Sequence, residues 1–449
     1  MANRETWGSR LGFILAAIGS AIGLGAMWKL PYVMGQNGGG AFILLFIIFN
    51  FIIGLPLFIG ELLLGRQSRR GVVSSFTTFS SRESGWSIIG WLTVLVSLLI
   101  LGWYCVVAGW GLCYILLALT DAFHGLNAAE VAQSFDVFRA SGALNIVFQV
   151  MFIALNAVIL VKGISQGIEK WSKIMTSGLF LVLILLALYA MSLEGFPKAV
   201  HYLLYPDFSK LSARGVMQAL SLALFTLSLA YGVMITYGSY LQKDDDIPKT
   251  AGIVVVANLL ASILIAITIF PMIFTFGFEP EAGEGLIFKT LPYVFEQLPG
   301  SMVISLIFFL LLLFAGLTSS LSMFEVVIAN FIDLLAISRT KAVLIASLIA
   351  FILGLPTAVT GEKGIFPVWQ QIFGDNFMAT NELLVDWILA VVALFTTIFI
   401  AFKLSAKTRQ EGFLSGTSMP YLYIPWLYLI RTLVPIAIVL VIAQRAHII

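Results

Sequence analysis

The residues best able to do chemistry in this chain are hydroxyls and backbone groups set inside apolar sequence. The run Ala315-Gly316-Leu317-Thr318-Ser319-Ser320 lies within a long apolar stretch. On a helix, Ala315, Thr318 and Ser319 share a face, at i, i+3 and i+4. Two hydroxyl oxygens beside a carbonyl make a neutral, all-oxygen cage, which suits a hard cation such as sodium for the reason that oxygen suits calcium. Hydroxyl residues in membrane helices also bond their own i−4 carbonyls, and that alternative explains one such residue more readily than three in succession.

Two other stretches put the backbone itself to use. Gly19-Ser20-Ala21-Ile22-Gly23-Leu24-Gly25 interrupts one apolar run, and Thr226-Leu227-Ser228-Leu229-Ala230-Tyr231-Gly232 interrupts another, five spans later. Unpaired backbone is costly in hydrocarbon and is tolerated only where protein or a ligand satisfies it. Freed carbonyls can take cations, and the N-terminus of a half-helix can face a carboxylate. Glycines alone also let helices pack closely. The matched second break favours a binding site at the interface of two repeats.

Lys29, Glu61, Glu325, Asp333, Asp386 and Arg431 fall within or at the edge of apolar stretches, where charge is expensive and faces the protein interior or a pathway. Asp386 and Lys29 lie toward one side, Arg4 and Asp333 toward the other, as suits one ion pair above a central site and one below it. Glu61 would tie broken-helix backbone together. Cys105 and Cys113 share one span about 12 Å apart, too far for a disulfide. The three histidines have no ligand-like spacing. With no zinc motif, intramembrane aspartate pair or nucleophile motif, an enzyme is not expected.

The elements that must position these residues are membrane spans. The 449 residues are 60% hydrophobic and 11% charged, with a mean hydropathy of +1.02. A soluble domain carries roughly a quarter charged residues. Runs such as 253–276 are long enough at about 1.5 Å per residue to cross a hydrocarbon core of about 30 Å. Helices are expected near 11–36, 41–65, 88–120, 144–162, 167–193, 214–241, 248–278, 301–334, 341–357, 383–404 and 424–444, numbered below as spans 1 to 11. No cleavable signal is expected, since Arg4, Glu5 and Arg10 precede a segment long enough to span. With the N-terminus inside, cytoplasmic segments hold 16 of the 25 Lys and Arg residues, among them Arg66, Arg69 and Arg70. That asymmetry sets the N-terminus in the cytoplasm and, with an odd span count, the C-terminus outside. The inserts 121–142, 194–213 and 278–299 are expected to form caps or short helices over an entrance. A net charge of +2 gives no sign of a nucleic-acid partner, and no obligate protein partner is evident.

The sequence resembles the neurotransmitter:sodium symporter family, specifically its bacterial, eleven-helix branch with the LeuT fold. The resemblance spans nearly the whole chain. It rests on Trp7-Gly8-Ser9-Arg10-Leu11-Gly12, the first interrupted run through Trp28-Lys29-Leu30-Pro31-Tyr32, Asn37-Gly38-Gly39-Gly40-Ala41-Phe42, Tyr104, Phe225 to Gly232, and Ala315 to Ser320. It implies an all-α polytopic membrane protein, one domain over 1–449, built as a 5+5 inverted repeat with spans 1 and 6 broken. Repeat one would cover about 11–193, repeat two about 214–404, with an extra helix at about 424–444. It implies a sodium site formed by the carbonyls of Gly19, Ile22 and Ala315 with the hydroxyls of Thr318 and Ser319. It also implies a substrate pocket of Ser20, Ala21, Leu24, Gly25, Ile100, Tyr104, Phe225, Thr226, Ser228, Tyr231, Ser319 and Met323. Tyr104 would hydrogen-bond a carboxylate beside the Gly25 amide, and Phe225 would act as a lid. The inner gate would be Arg4, Trp7 and Asp333 with Tyr240 nearby; the outer gate would pair Lys29 with Asp386.

The sequence departs from the family pattern at three points. Ala26 replaces an asparagine at the family's other sodium site, leaving Ala21, Thr226 and Asn258; an alanine side chain offers no oxygen, so that site is expected to be weaker, hydrated or absent. Lys29 replaces an arginine and loses its planar, two-pronged geometry. At the family's chloride site Ser262 is present, but Phe46 and Leu222 offer no donor, and tight chloride binding is not expected. The expected function is therefore sodium-coupled import of a small neutral, hydrophobic or aromatic amino acid across a bacterial plasma membrane by alternating access, with at least one sodium. Coupling to a single sodium or to protons, or a non-transporting amino-acid sensor, remain the alternatives.

Overall fold

The computed structural model describes residues 4–81, 84–278, 284–360 and 377–446. Among them, nine helices are long and apolar enough to cross a bilayer. A tenth crossing is a bent pair, Arg10–Ala21 and Leu24–Gln36, whose axes differ by 58°. An eleventh is split into Ala213–Thr226 and Val233–Gly238. Spans 1 and 6 are thus the broken ones, and both breaks fall where the polar and glycine-rich sequence sits.

Local chemistry explains each break. At span 1, Ile22 takes a non-helical ψ of 75° and Gly23 is extended, so the second half-helix begins with amides that have no partner one turn below. At span 6, Ser228, Ala230 and Gly232 adopt φ of 52°, 66° and 77°. Two of these are not glycine, and left-handed backbone costs such residues roughly 1–2 kcal/mol each, so the surroundings must hold it. Buried Glu61 of span 2 accepts the Ala230 amide at 2.8 Å, and Ser97 of span 3 donates its hydroxyl to the Tyr231 carbonyl at 2.7 Å. Glu61 therefore does what its place in the sequence implied.

Span 1 packs against spans 5, 7 and 8, while the long span 3 lies along spans 8 and 9. This brings both breaks and the hydroxyls of span 8 to the centre of the protein. The polar inserts hold short helices, Ala128–Ala140 and Phe196–Leu204. The first is capped by Asn127 and Glu130, and its Phe135 stacks on Phe288 with ring centres 5.5 Å apart. From the second, Tyr202 donates to the carbonyls of Met34 and Gly35 at the end of span 1, at 2.9 and 3.0 Å. Span 11, Pro420–Arg445, packs on spans 6 and 10.

Candidate functional site

Eleven of the twelve residues expected to line a pocket surround one central cavity of ≈ 40 Å³. The exception is Thr226, which is buried and accepts a hydrogen bond from Asn258 at 3.2 Å instead. Gly23, Ala26 and Trp103 complete the wall. The Leu24 amide donates to the Tyr104 hydroxyl at 3.3 Å, so a phenol and the N-terminus of a half-helix meet at one end. Phe225 closes the other side. A Cβ added to Gly25 would come 2.2 Å from its Cε1, which only a residue without a side chain avoids. Tyr231 meets Phe225 edge-on with centres 5.9 Å apart. A volume of this size holds only a few water molecules, so an amino acid entering it must displace Phe225 or its neighbours.

Hydroxyls line the floor. Ser20 and Ser322 share a hydrogen bond at 2.7 Å, Ser20 donates to Ser228 at 3.1 Å, and Ser228 donates to the Ser20 carbonyl at 2.9 Å. Ser319 donates to the same carbonyl at 3.0 Å and reaches that of Gly19 at 3.4 Å. The cage residues of span 8 therefore face the break in span 1. Gly19 packs so closely that an added Cβ would lie 2.9 Å from Thr318 Cβ and 2.4 Å from Thr176 Oγ1. Thr318 donates to the Phe314 carbonyl at 2.9 Å, the i−4 bond of an ordinary helical threonine, which leaves its lone pairs open to a cation. Ser320 does not join them: it points to span 4 and bonds Asn156 at 2.7 Å. The Ser319 hydroxyl and the Gly19 carbonyl thus meet across two spans as oxygen donors of the kind that suits sodium, while Thr318 turns its Cβ and methyl toward Gly19.

Asn258 Oδ1 beside Thr226 is fully buried and has no partner, so an oxygen suited to a second cation is present there. Ala26, on the cavity wall, contributes none. Ser262 Oγ is likewise buried without a partner; Phe46 and Leu222 are buried and apolar.

The inner side is tightly closed. Arg4 contacts both oxygens of Asp333, at 2.9 and 2.7 Å, grips Ser239 at 3.0 and 2.8 Å, and lies 4.8 Å over the Tyr240 ring. Buried Trp7 donates to the Tyr237 carbonyl at 3.1 Å. Tyr240 donates to Glu325 at 2.6 Å, and Arg339 holds the other oxygen of that carboxylate at 2.6 Å. Arg4, Trp7, Asp333 and Tyr240 thus sit together as the sequence implied.

The outer side differs from expectation. Lys29 and Asp386 both line a cavity of ≈ 410 Å³ above Phe225, but they do not pair in this conformation. Lys29 places its ammonium 5.3 Å over the Phe225 ring. Asp386 takes Arg445 of span 11 at 3.1 Å. A guanidinium offers planar donors to a carboxylate where an ammonium is a hydrated point charge, and that explains the preference.

A sealed inner side, a small central cavity between two broken helices and a larger outer cavity define a membrane transporter rather than a receptor fold with an output domain. The comparisons agree. Residues 4–129 and 120–447 match the sodium:neurotransmitter symporter family. The chain is 36% identical over 437 residues to YhdH, an uncharacterized sodium-dependent transporter of Bacillus subtilis, covering 97% of this chain and 96% of that one. It is 33% identical over 450 residues to an uncharacterized sodium-dependent transporter of Haemophilus influenzae, covering 98% and 97%. Its structure matches that of MhsT in complex with L-phenylalanine at a TM-score of 0.88 and 33% identity, covering 99% and 100% of the two chains. The chain belongs to the sodium:neurotransmitter symporter family. It is a multi-pass, sodium-dependent secondary transporter with the LeuT fold, and not an enzyme.

Sequence reasoning missed four residues. Ser322 is one turn beyond Ser319 and Trp103 adjoins Tyr104, so helical spacing could have found both. Gly23 sits inside the first break. Arg445 carries no local signal.

Proposed function

We propose that this transporter imports a small neutral amino acid with an apolar or aromatic side chain, together with at least one sodium ion. The observation that carries this reading is the central cavity itself. One end presents the Tyr104 hydroxyl and the amides that open the second half of span 1, groups that suit a carboxylate. Ile100, Phe225, Tyr231 and Met323 form the rest of the wall and offer no charge to match a charged side chain. L-phenylalanine in the related MhsT complex supports the same class.

Gly19, Ile22 and Ala315 carbonyls with Thr318 and Ser319 hydroxyls would hold one sodium; Ala21, Thr226 and Asn258 would hold a second only weakly, since Ala26 adds no oxygen. The difference is large energetically. Each charge moved inward gains about 2.3 kcal/mol per 100 mV, roughly a forty-fold change in attainable accumulation at about 1.4 kcal/mol per tenfold. Arg4, Trp7, Asp333 and Tyr240 would form the inner gate, and Phe225, Lys29 and Asp386 the outer one. The charge asymmetry of the loops supports a cytoplasmic N-terminus in a bacterial plasma membrane.

Uptake of labelled L-phenylalanine into proteoliposomes, competed by each common amino acid, tests the reading. Accumulation is expected to require external sodium and to yield to neutral apolar or aromatic competitors. Equal accumulation with potassium replacing sodium outside would refute the coupling.

A further inference from the structure

Among the described residues, three cations (Lys29, Arg214 and Arg445) and one carboxylate, Asp386, line the outer cavity. Asp386 belongs to span 10, Lys29 to span 1 and Arg445 to span 11, and all three line the same space above Phe225. Asp386 and Arg445 are paired at 3.1 Å with side chains 26% and 20% exposed, so water screens the contact only in part. Lys29 instead rests over the Phe225 ring. For Lys29 and Asp386 to close over the lid, Asp386 must first leave Arg445.

We infer that Arg445 is a positioning residue of the outer gate: it holds Asp386 away from Lys29, so that closure exchanges a guanidinium for an ammonium on one carboxylate. This rests on reading Lys29 and Asp386 as the gate pair. The held state is the open one. Span 11 would lie outside the two repeats, and it packs on the outer halves of spans 6 and 10, so it acts as a fixed post from which the gate carboxylate is released. The chemistry favours this order, because the guanidinium binds a carboxylate with directed donors and the ammonium does not. An arginine at position 29 would compete for Asp386 on equal terms. Lysine there leaves Arg445 the stronger partner until the amino acid and Phe225 bring Lys29 closer.

The test reads the gate without needing any substrate. In a background with Cys105 and Cys113 replaced by serine, Ser221→Cys places a thiol on the outer cavity wall, and its rate of modification by a methanethiosulfonate reagent in sodium buffer reports how open the gate is. Arg445→Gln is expected to slow modification about two- to fivefold, the worth of a partly exposed ion pair, while Arg445→Lys, which keeps the charge but loses the directed donors, falls between Arg445→Gln and the parent. In an Asp386→Asn background, adding Arg445→Gln is expected to change nothing further. Modification at the parent rate in Arg445→Gln, or equal slowing with and without Asp386, would overturn the inference and leave Arg445 a tether for span 11. Failure of amino-acid import would be a separate result, because these rates involve no amino acid.

Discussion

Replacing Thr318 with valine isolates the sodium reading from fold. The two side chains have one shape, so the contact that makes Gly19 necessary, within 2.9 Å of Thr318 Cβ for an added Cβ, is kept. The lost bonds to the Phe314 and Ala315 carbonyls, at 2.9 and 3.2 Å, are additional to those a helix already makes, and no buried group is orphaned. Stability should therefore change by less than ~1 kcal/mol. What disappears is one oxygen ligand. A hydrogen bond or contact to a charged group contributes about 1.5–3 kcal/mol, so the sodium concentration giving half-maximal uptake should rise roughly ten- to hundred-fold at about 1.4 kcal/mol per tenfold. Maximal uptake at saturating sodium should be retained. The assay is initial-rate uptake in proteoliposomes across a sodium titration at constant ionic strength. A half-saturation point within twofold of the parent, with uptake intact, would show that Thr318 is only a helical hydroxyl and that the cage argument is wrong.

Gly25→Ala should keep the Phe225 ring from closing, because a contact of 2.2 Å must open to about 3.5 Å or more; equilibrium binding of the amino acid should weaken about tenfold or more, and parental affinity would contradict the lid. Glu61→Ala leaves the buried Ala230 amide without its acceptor, at a cost of about 1–3 kcal/mol, whereas Glu61→Gln keeps an acceptor. Thermal midpoints in detergent should fall for alanine and largely recover for glutamine, and equal losses would count against the acceptor role. Just before span 7, burial raises the Asp246 pKa, but hydrogen bonds from Ser418, Lys249 and Thr417 outweigh it and hold the carboxyl below its ordinary value. A depressed folded pKa means the stabilisation is complete above the unfolded value of about 3.9 and is lost as pH falls through the lower folded one. The protection of the Ser418 and Met419 amides against hydrogen exchange, relative to their intrinsic rates, should therefore hold down to about pH 4 and fall below it; a loss of protection beginning above pH 5 would refute this.

The breaks were legible because glycine and hydroxyl residues interrupt otherwise uniform apolar runs, and a membrane leaves few reasons for that. The central wall was legible only through resemblance, since Ile100, Tyr104 and Met323 lie on spans far apart in sequence. Ser320 stands apart from Thr318 and Ser319, as the shared face of Ala315, Thr318 and Ser319 implied, because consecutive helical residues point about 100° apart. Arg445 was illegible: it closes an unremarkable apolar span, and its partner is decided by how spans 10 and 11 lean together. Lys29 stood out as a lone intramembrane charge, but its ring contact depends on where Phe225 swings.

Ser319 lies on the wall of the central cavity and also reaches the Gly19 carbonyl at 3.4 Å. On the proposed function, one side chain would thus have a stake in both bound species. Linkage then works in both directions: whatever factor by which sodium tightens the amino acid, the amino acid tightens sodium by the same factor. A tight-binding blocker of the cavity would accordingly reveal itself as an apparent gain in ion affinity. Variation at Tyr231 or Met323, which line the central cavity and would touch only the organic guest, would retune what is carried while leaving that exchange rate between the two cargoes intact.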